Sequence, residues 1–162
     1  MMGFRNGLIA AGLVLLTLVA AFMLYARVLR EDKGSEFQRG MILSLFHGEG
    51  FSAGMYHQDR WVVYDPDGKL TAYAFFGTGE GYEGPVRVLT LTDPGGIITK
   101  VYPYEHQETP SYFAKLFEEN FLESFEGMSV SGFDGKTAPI DVVTGATISS
   151  GAIIRAVSRS VR

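Results

Sequence analysis

An α+β fold, an antiparallel sheet covered by helices and preceded by one N-terminal transmembrane helix, is what this 162-residue sequence predicts. Three observations carry that expectation. Residues Gly7 to Ala26 are twenty consecutive positions without a charged side chain, long enough for a helix to cross a hydrocarbon core. Behind them come pairs of short apolar runs, each pair folded about a Pro/Gly turn, as in successive β-hairpins. The apolar spacing then turns helical for the rest of the chain. Strands in series followed by helices in series argue for α+β, and no internal repeat suggests a solenoid. The length suits one domain plus an appendage and is too short for two full domains. Residues 1–30 are read as the anchor, 31–60 as a juxtamembrane lead-in and 61–162 as the folded domain.

The anchor has a rival reading as a cleaved signal peptide, since Arg5 precedes the apolar run in either case. A secretory apolar region covers about 7 to 15 residues and ends at a small-x-small site, whereas this run ends at Leu24, Tyr25 and Ala26 before Arg27, so retention is expected. The positive-inside count sets Arg5 against Arg27, Arg30 and Lys33, which by itself places the large domain in the cytoplasm.

Residues 34–46 carry Phe37, Met41, Leu43, Leu45 and Phe46 and fit a short helix or an extended lead-in equally well. Trp61 to Tyr64 and Leu70 to Phe76 read as strands about a tight turn at Asp65, Pro66, Asp67 and Gly68. Val86 to Leu91 and Ile97 to Tyr102 repeat the arrangement about Asp93, Pro94, Gly95 and Gly96. Thr109 and Pro110 open a helix as cap and first helical residue, and Phe113, Leu116, Phe117, Phe121 and Phe125 recur at helical spacing until Gly127 stops it. That stripe is read as core, with Glu118 and Glu119 on the solvated face. A last helix runs from about Ser149 to the C-terminus, with Ile153, Ile154, Val157 and Val161 along one side.

Composition excludes several functions. Residues 31–162 hold 11 lysines and arginines against 18 acids, net −7, a poor surface for nucleic acid. The absence of cysteine removes disulfides, thiolate nucleophiles, Cys-ligated iron–sulfur clusters and zinc ribbons. His47, His57 and His106 stand apart without metal-ligand spacing, so no metal site is expected. No G-x-S-x-G elbow is present, and no catalytic residue is assigned.

Gly77, Gly79, Gly81 and Gly84 imitate a dinucleotide-binding fingerprint directly after a strand. The fingerprint requires a helix to begin there, and Pro85 to Leu89 instead read as another strand. A flexible loop between strands is therefore expected, one whose glycines and Tyr82 could approach a flat cofactor. The segment Asp141 to Ser150 stands out more. Its plain reading is capping chemistry, with Thr147 or Ser149 as the N-cap of the last helix.

The same segment, through Asp141, Thr144, Gly145, Ala146, Thr147 and Ser149, resembles the D-x-x-[ST]-G-A-T-x-[ST] motif of the covalent FMN-binding domain family. At average residue usage the pattern arises by chance in such a chain on the order of once in 10⁴ to 10⁵. Gly81, Tyr82, Gly84, Pro85 and Val86 are similar to the family's G-Y-x-G-p-[IV] loop, and Glu105, His106, Glu108, Thr109 and Pro110 to its E-H-x-E-T-P segment. The likeness covers roughly residues 70 to 160. Within the family it is greatest to the G-type subunit of Rnf-type ion-translocating electron-transport complexes, and next to the C-type subunit of the sodium-pumping NADH:quinone reductase. One departure follows the E-T-P segment, where Ser111, Tyr112 and Phe113 replace a G-L-G turn.

The resemblance implies FMN esterified through its phosphate to Thr147, which makes the chain formally a phosphoprotein, with Thr144, Gly145, Ala146, Ser149, Ser150 and Asp141 around the attachment point. It implies further that Gly81, Tyr82, Gly84, Glu108 and Thr109, with the segment around His106, cover the ring. Residues 61–162 then form the FMN-binding domain of a single-pass inner (cytoplasmic) membrane protein. The implied role is an electron-transfer subunit without independent catalysis, partnered by other subunits of a membrane complex and matured by a flavin transferase. The resemblance places the domain on the periplasmic or extracellular face, against the charge count, and is preferred to it. Two rival readings remain: an anchored structural or assembly subunit in which the motif is only a cap, and a free-standing flavin reductase.

Overall fold

The computed structural model describes residues 2–162, with side chains described at 16–26 and 33–162. The chain divides into two compact units, Met1–Ser44 and Leu45–Arg162.

Helix α1 (Met2–Leu45) makes up the first unit and continues through residues 34–45, so of the two readings of that stretch the helical one holds. The apolar run at 7–26 lies partly outside the described residues, since its side chains are described only from Leu16 onward. Among the described residues no helix is long and apolar enough to cross a membrane. The apolar side chains Leu16, Leu18, Val19, Phe22, Met23, Leu24 and Tyr25 are all exposed.

The second unit is α+β, as expected. Strands β1 (Ser52–His57), β2 (Arg60–Tyr64), β3 (Leu70–Glu80), β4 (Pro85–Thr92) and β5 (Ile98–Glu105) form one antiparallel sheet in sequence order. Helix α2 (Pro110–Glu118), a 3₁₀ turn (Phe121–Phe125) and helix α3 (Thr147–Ser160) follow. Both anticipated turns form as hairpin connections. Asp65 Oδ1 accepts the N–H of Asp67 and Lys69 while Gly68 takes φ +77°, and Asp93 Oδ1 accepts the N–H of Ile97 while Gly96 takes φ +78°.

Three elements differ from the sequence expectation. Strand β1 falls in the stretch read as lead-in, and only Ala53 of its six residues is buried, so it offers no alternating signal. The helix expected to run from Thr109 to Gly127 ends at Glu118, because Asn120 adopts the left-handed conformation (φ 52°), and a 3₁₀ turn carries Phe121 and Phe125 into the core. Phe117 is left exposed by the same break. Third, the first half of the expected flexible loop at Gly77–Gly84 is strand, since β3 continues through Glu80 and pairs Gly77 with Val88 and Gly79 with Val86.

Helix packing explains that last correction. Helix α3 lies across β3 and β4, and a Cβ on Gly77 would collide with the carbonyl of Ala156, one on Gly79 with the carbonyl of Ala152. These glycines bring a helix against a strand, a use that requires an absent side chain. Arg155 donates to the Glu80 carbonyl (2.6 Å) and Arg159 to the Thr78 carbonyl (3.2 Å), fastening the helix to the strand at the same level. Val86 and Val88 from the sheet, Phe113 and Leu116 from α2, Phe121, Phe125 and Phe133 beyond it, and Ile153 and Val157 from α3 share one core. Burial of each such side chain is worth about 1.5 to 3 kcal/mol. Through this core α2 and the first turn of α3 are placed at the end of the sheet where β3 turns into β4.

Candidate functional site

Three segments far apart in sequence converge at that end. The β3–β4 connection is a tight turn in which the Gly81 N–H donates to the Gly84 carbonyl (2.9 Å). Behind it stands Glu108, just before α2, with its side chain buried. One carboxylate oxygen accepts the N–H of Tyr82 (2.7 Å) and of Glu83 (3.0 Å), and the other accepts the hydroxyl of Ser149 in the first turn of α3. A Cβ on Gly81 would meet the Glu108 carboxylate, and one on Gly84 would meet the Gln107 side chain, so both glycines are where the loop rests on the 105–110 segment. Thr109 adds a link of its own, its hydroxyl donating to Glu83.

Burial alone would push the Glu108 carboxyl up. The hydrogen bonds from Ser149, Glu83 and Tyr82, helped by His106, outweigh it and hold the group below its ordinary range. Glu108 is thus an ionised acceptor at neutral pH. It ties loop, α2 entry and α3 start together, and a proton-transfer role would require it to accept a proton far more readily.

The cavity over this junction has a volume of about 380 Å³ and is lined by Tyr82, Glu108, Thr109, Tyr112, Gly145, Ala146, Thr147, Ile148 and Ser149. Tyr82, Tyr112 and Ile148 are exposed apolar surfaces at its mouth, and Tyr82 is 75% exposed. Tyr112 belongs to the Ser111–Phe113 segment in which the sequence departs from its resemblance, and it supplies one wall.

The Asp141–Ser150 segment is built around Gly145, which takes φ +80°. The Ala146 N–H donates to the Val143 carbonyl (3.0 Å) and closes the turn. Ser150 braces it, accepting the Val143 N–H and donating to the Ala146 carbonyl. The capping alternative does not hold for α3. Its N-cap position is Ala146, no side chain caps it, Thr147 is already helical, and Ser149 is committed to Glu108. Likewise Thr109 occupies the N-cap position of α2 without capping it. Thr147 is exposed, and among the described residues its hydroxyl makes only a long contact to the Val143 carbonyl (3.5 Å). First-turn N–H groups without a side-chain cap leave the positive end of the helix dipole open to an anion beside that hydroxyl.

The structure therefore brings Gly81, Tyr82, Gly84, Glu108, Thr109, Gly145, Ala146, Thr147 and Ser149 to one place, with Ser150 beneath. Asp141 and Thr144 are not among the residues lining this cavity; they border a second depression with Glu119, Asn120 and Phe121. His106 stacks on Phe113, ring centroids 3.6 Å apart, and does not line the cavity either. Among the described residues no group of three or more His, Cys, Asp or Glu is arranged to hold a metal ion. Sequence reasoning passed over Lys115. Its ammonium lies 2.6 Å from where a Cβ on Gly145 would stand and 5.8 Å from the centre of the Tyr112 ring. Nothing in the spacing of a single lysine on a helix marks it out.

These residues fit a flavin mononucleotide. The volume lies within the range of small-molecule sites, about 300 to 1,000 Å³. Aromatic and aliphatic walls suit a flat ring, and the open helix end with the small residues Gly145 and Ala146 suits a phosphate.

Comparison with known proteins points the same way. Residues 81–162 match the FMN-binding domain family. Among curated relatives, the G-type subunit of the ion-translocating oxidoreductase complex of Haemophilus influenzae is 32% identical over 106 residues, covering 58% of this chain and 50% of its own. The G-type subunit of the proton-translocating ferredoxin:NAD(+) oxidoreductase complex of Clostridium ljungdahlii is 27% identical over 106 residues, covering 62% and 57%. The G-type subunit of the ion-translocating oxidoreductase complex of Stutzerimonas stutzeri is 32% identical over 104 residues, covering 57% and 45%. The chain spans about half the length of the curated relatives it matches.

Proposed function

The chain belongs to the FMN-binding domain family, and from that premise we propose that it is a membrane-anchored electron-transfer subunit with FMN attached as a phosphoester on Thr147. The observation that carries the proposal is the position of Thr147, whose exposed hydroxyl stands at the uncapped start of α3 on the wall of a cavity built from all three family-like segments. The bound flavin supplies the redox chemistry. This chain's residues hold and shape its site. In forming the ester, Thr147 Oγ1 displaces the leaving half of a phosphoanhydride-activated flavin and gives up its proton, a reaction assigned to a flavin transferase. Gly145 and Ala146 leave room for the linkage. Tyr82, Tyr112 and Ile148 offer flat or apolar surfaces to the ring, and Glu108 with Ser149 holds the 81–84 loop against the helix start.

Partnership with other subunits of an ion-translocating oxidoreductase complex is supported by the names of the relatives. A tethered flavin cannot diffuse, so donor and acceptor must both come to it, which suits neighbouring subunits. The twenty-residue uncharged run and the exposed apolar side chains at 16–25 support residues 1–30 as a single-pass anchor in the inner membrane. Residues 31–60 are then the lead-in and 61–162 the flavin domain on the periplasmic or extracellular side. Asp141 and Thr144, exposed and away from the cavity, are assigned to the transferase's recognition of the motif.

The relay role is tested by mixing the purified full-length chain with NADH or NADPH. Its flavin should reduce with dithionite and reoxidise in air while nicotinamide turnover stays negligible. Rapid turnover by the chain alone would favour a reductase, and a colourless chain made together with the transferase would favour a structural role. A reporter fused after Arg162 should be active outside the cytoplasm; activity only inside reverses the topology.

A further inference from the structure

We propose that the Lys115 ammonium is the counter-charge of the flavin phosphodiester at Thr147, an inference that rests on the covalent reading above. Lys115 and Tyr112 stand three residues apart on α2 and so share the helix face turned toward Gly145. Lys115 is half-buried, its ammonium lies against Gly145, two residues before Thr147, and the missing Cβ is what leaves it space.

Among the described residues it has no anion of its own. Among the described residues Arg87 pairs with Glu105, Lys100 with Glu126 and Arg162 with Asp134, while Arg155 and Arg159 donate to carbonyls of β3; the side chains of Lys69 and Lys136 are also without an ion pair there, and of these lysines Lys115 is the one held against Gly145. Lys115 makes neither an ion pair nor a hydrogen bond among those residues, although its own helix ends in Glu118 and Glu119. A lysine unpaired among the described residues, in a region of net −7, and held against the turn that presents Thr147, is placed for a negative group arriving from outside the chain. A phosphodiester carries one full negative charge at every physiological pH. Linked to Thr147 it would add an anion at the open first turn of α3, with the Lys115 ammonium against the turn that precedes it. Lys115 is a positioning residue in this account. It would act on the tether, through the charge of the phosphate.

The test is a double-mutant comparison on the full-length chain, produced together with a flavin transferase and purified in detergent. Lys115→Met and Lys115→Arg are each made in the wild-type background, which carries the phosphodiester, and in Thr147→Val, which cannot. Chemical unfolding is followed by tryptophan fluorescence from Trp61. In the loaded background Lys115→Met should raise the unfolding equilibrium constant about fivefold, as for a partly exposed ion pair, and Lys115→Arg should restore it. In Thr147→Val the Met variant should change nothing beyond error. If Lys115→Met folds but takes up no flavin while Lys115→Arg does, the requirement for charge is shown by yield instead.

Equal losses in both backgrounds, no loss in either, or failure of Arg to restore what Met removes overturns the proposal and leaves the covalent reading intact. A wild-type chain that takes up no flavin overturns the covalent reading, and this proposal with it.

Discussion

Four glycines within eight residues do two different jobs. Gly77 and Gly79 lie inside β3, where an absent Cβ lets the carbonyls of Ala152 and Ala156 rest on the strand. Gly81 and Gly84 lie in the turn beyond it, where an absent Cβ lets the Glu108 carboxylate and the Gln107 side chain rest on the loop. The first pair belongs to the framework that α3 needs in order to pack at all. The second belongs to the site that α3 then completes through Ser149. The glycine run is therefore neither a phosphate loop nor a mere linker. It is one continuous surface whose first half receives a helix and whose second half receives a carboxylate.

Substitution separates the two halves, and the largest effect should come from the framework. Gly79→Ala sets a methyl against backbone that cannot move without shifting α3, so it should cost about 3 kcal/mol, seen as a lower unfolding midpoint of the same size with or without flavin. Next comes Glu108→Ala, which leaves the Tyr82 and Glu83 N–H groups and the Ser149 hydroxyl without their acceptor and should cost about 2 kcal/mol. Hydrogen exchange should show that loss concentrated at residues 81–84, with the β4–β5 pairing still protected. Gly81→Ala should be milder, about 1 kcal/mol, since a turn and a side-chain carboxylate yield more easily than a helix backbone. It should reduce the flavin carried per chain more than it reduces stability. Gly79→Ala affecting only flavin content, or Gly81→Ala destabilising the chain more than Gly79→Ala, would break the division.

Acid gives the smallest and most selective effect. Because the Glu108 carboxyl is held below its ordinary value of 4.5 in the folded chain, its contribution is complete above that value and is lost as pH falls through the depressed folded one. The stability difference between wild type and Glu108→Gln should therefore stay constant from about pH 8 to 5 and shrink only below that range. A difference that shrinks with rising pH near neutrality would mean that Glu108 is protonated in the folded state.

How much of this was legible beforehand depended on whether the signal was local. Both hairpins could be read because Asp65 with Gly68 and Asp93 with Gly96 carry their turn geometry in their own residue types. The hairpins imply an antiparallel sheet, while the pairing of β3 with β4 that joins them is seen only in the structure. Strand β1 could not be read, since one buried residue in six leaves no period to find. The break at Asn120 was hidden because phenylalanines on both sides of it keep helical spacing while the backbone between them turns left-handed. At the site, the resemblance singled out Thr147, Glu108 and the 81–84 loop, and the structure assembles them. Their linkage through Ser149 and Glu108 spans 41 residues of chain and has no sequence pattern. Asp141 and Thr144, from the same motif, face a different depression because the turn at Gly145 points the two halves of the segment apart. Lys115 was invisible for the opposite reason, being an ordinary helix lysine until Gly145 is folded beneath it.

Attachment of the flavin to Thr147 can be read by in-gel fluorescence of the denatured full-length chain made together with a flavin transferase. An ester survives unfolding, whereas a flavin held only by packing is lost with the fold. Wild type should give a fluorescent band whose tryptic peptide containing Thr147 is heavier by the mass of an FMN ester. Thr147→Val, which keeps the side-chain shape and removes the oxygen, should accumulate to the same level with no fluorescence. A fluorescent Thr147→Val band, or a wild-type band with no fluorescence, would contradict the account.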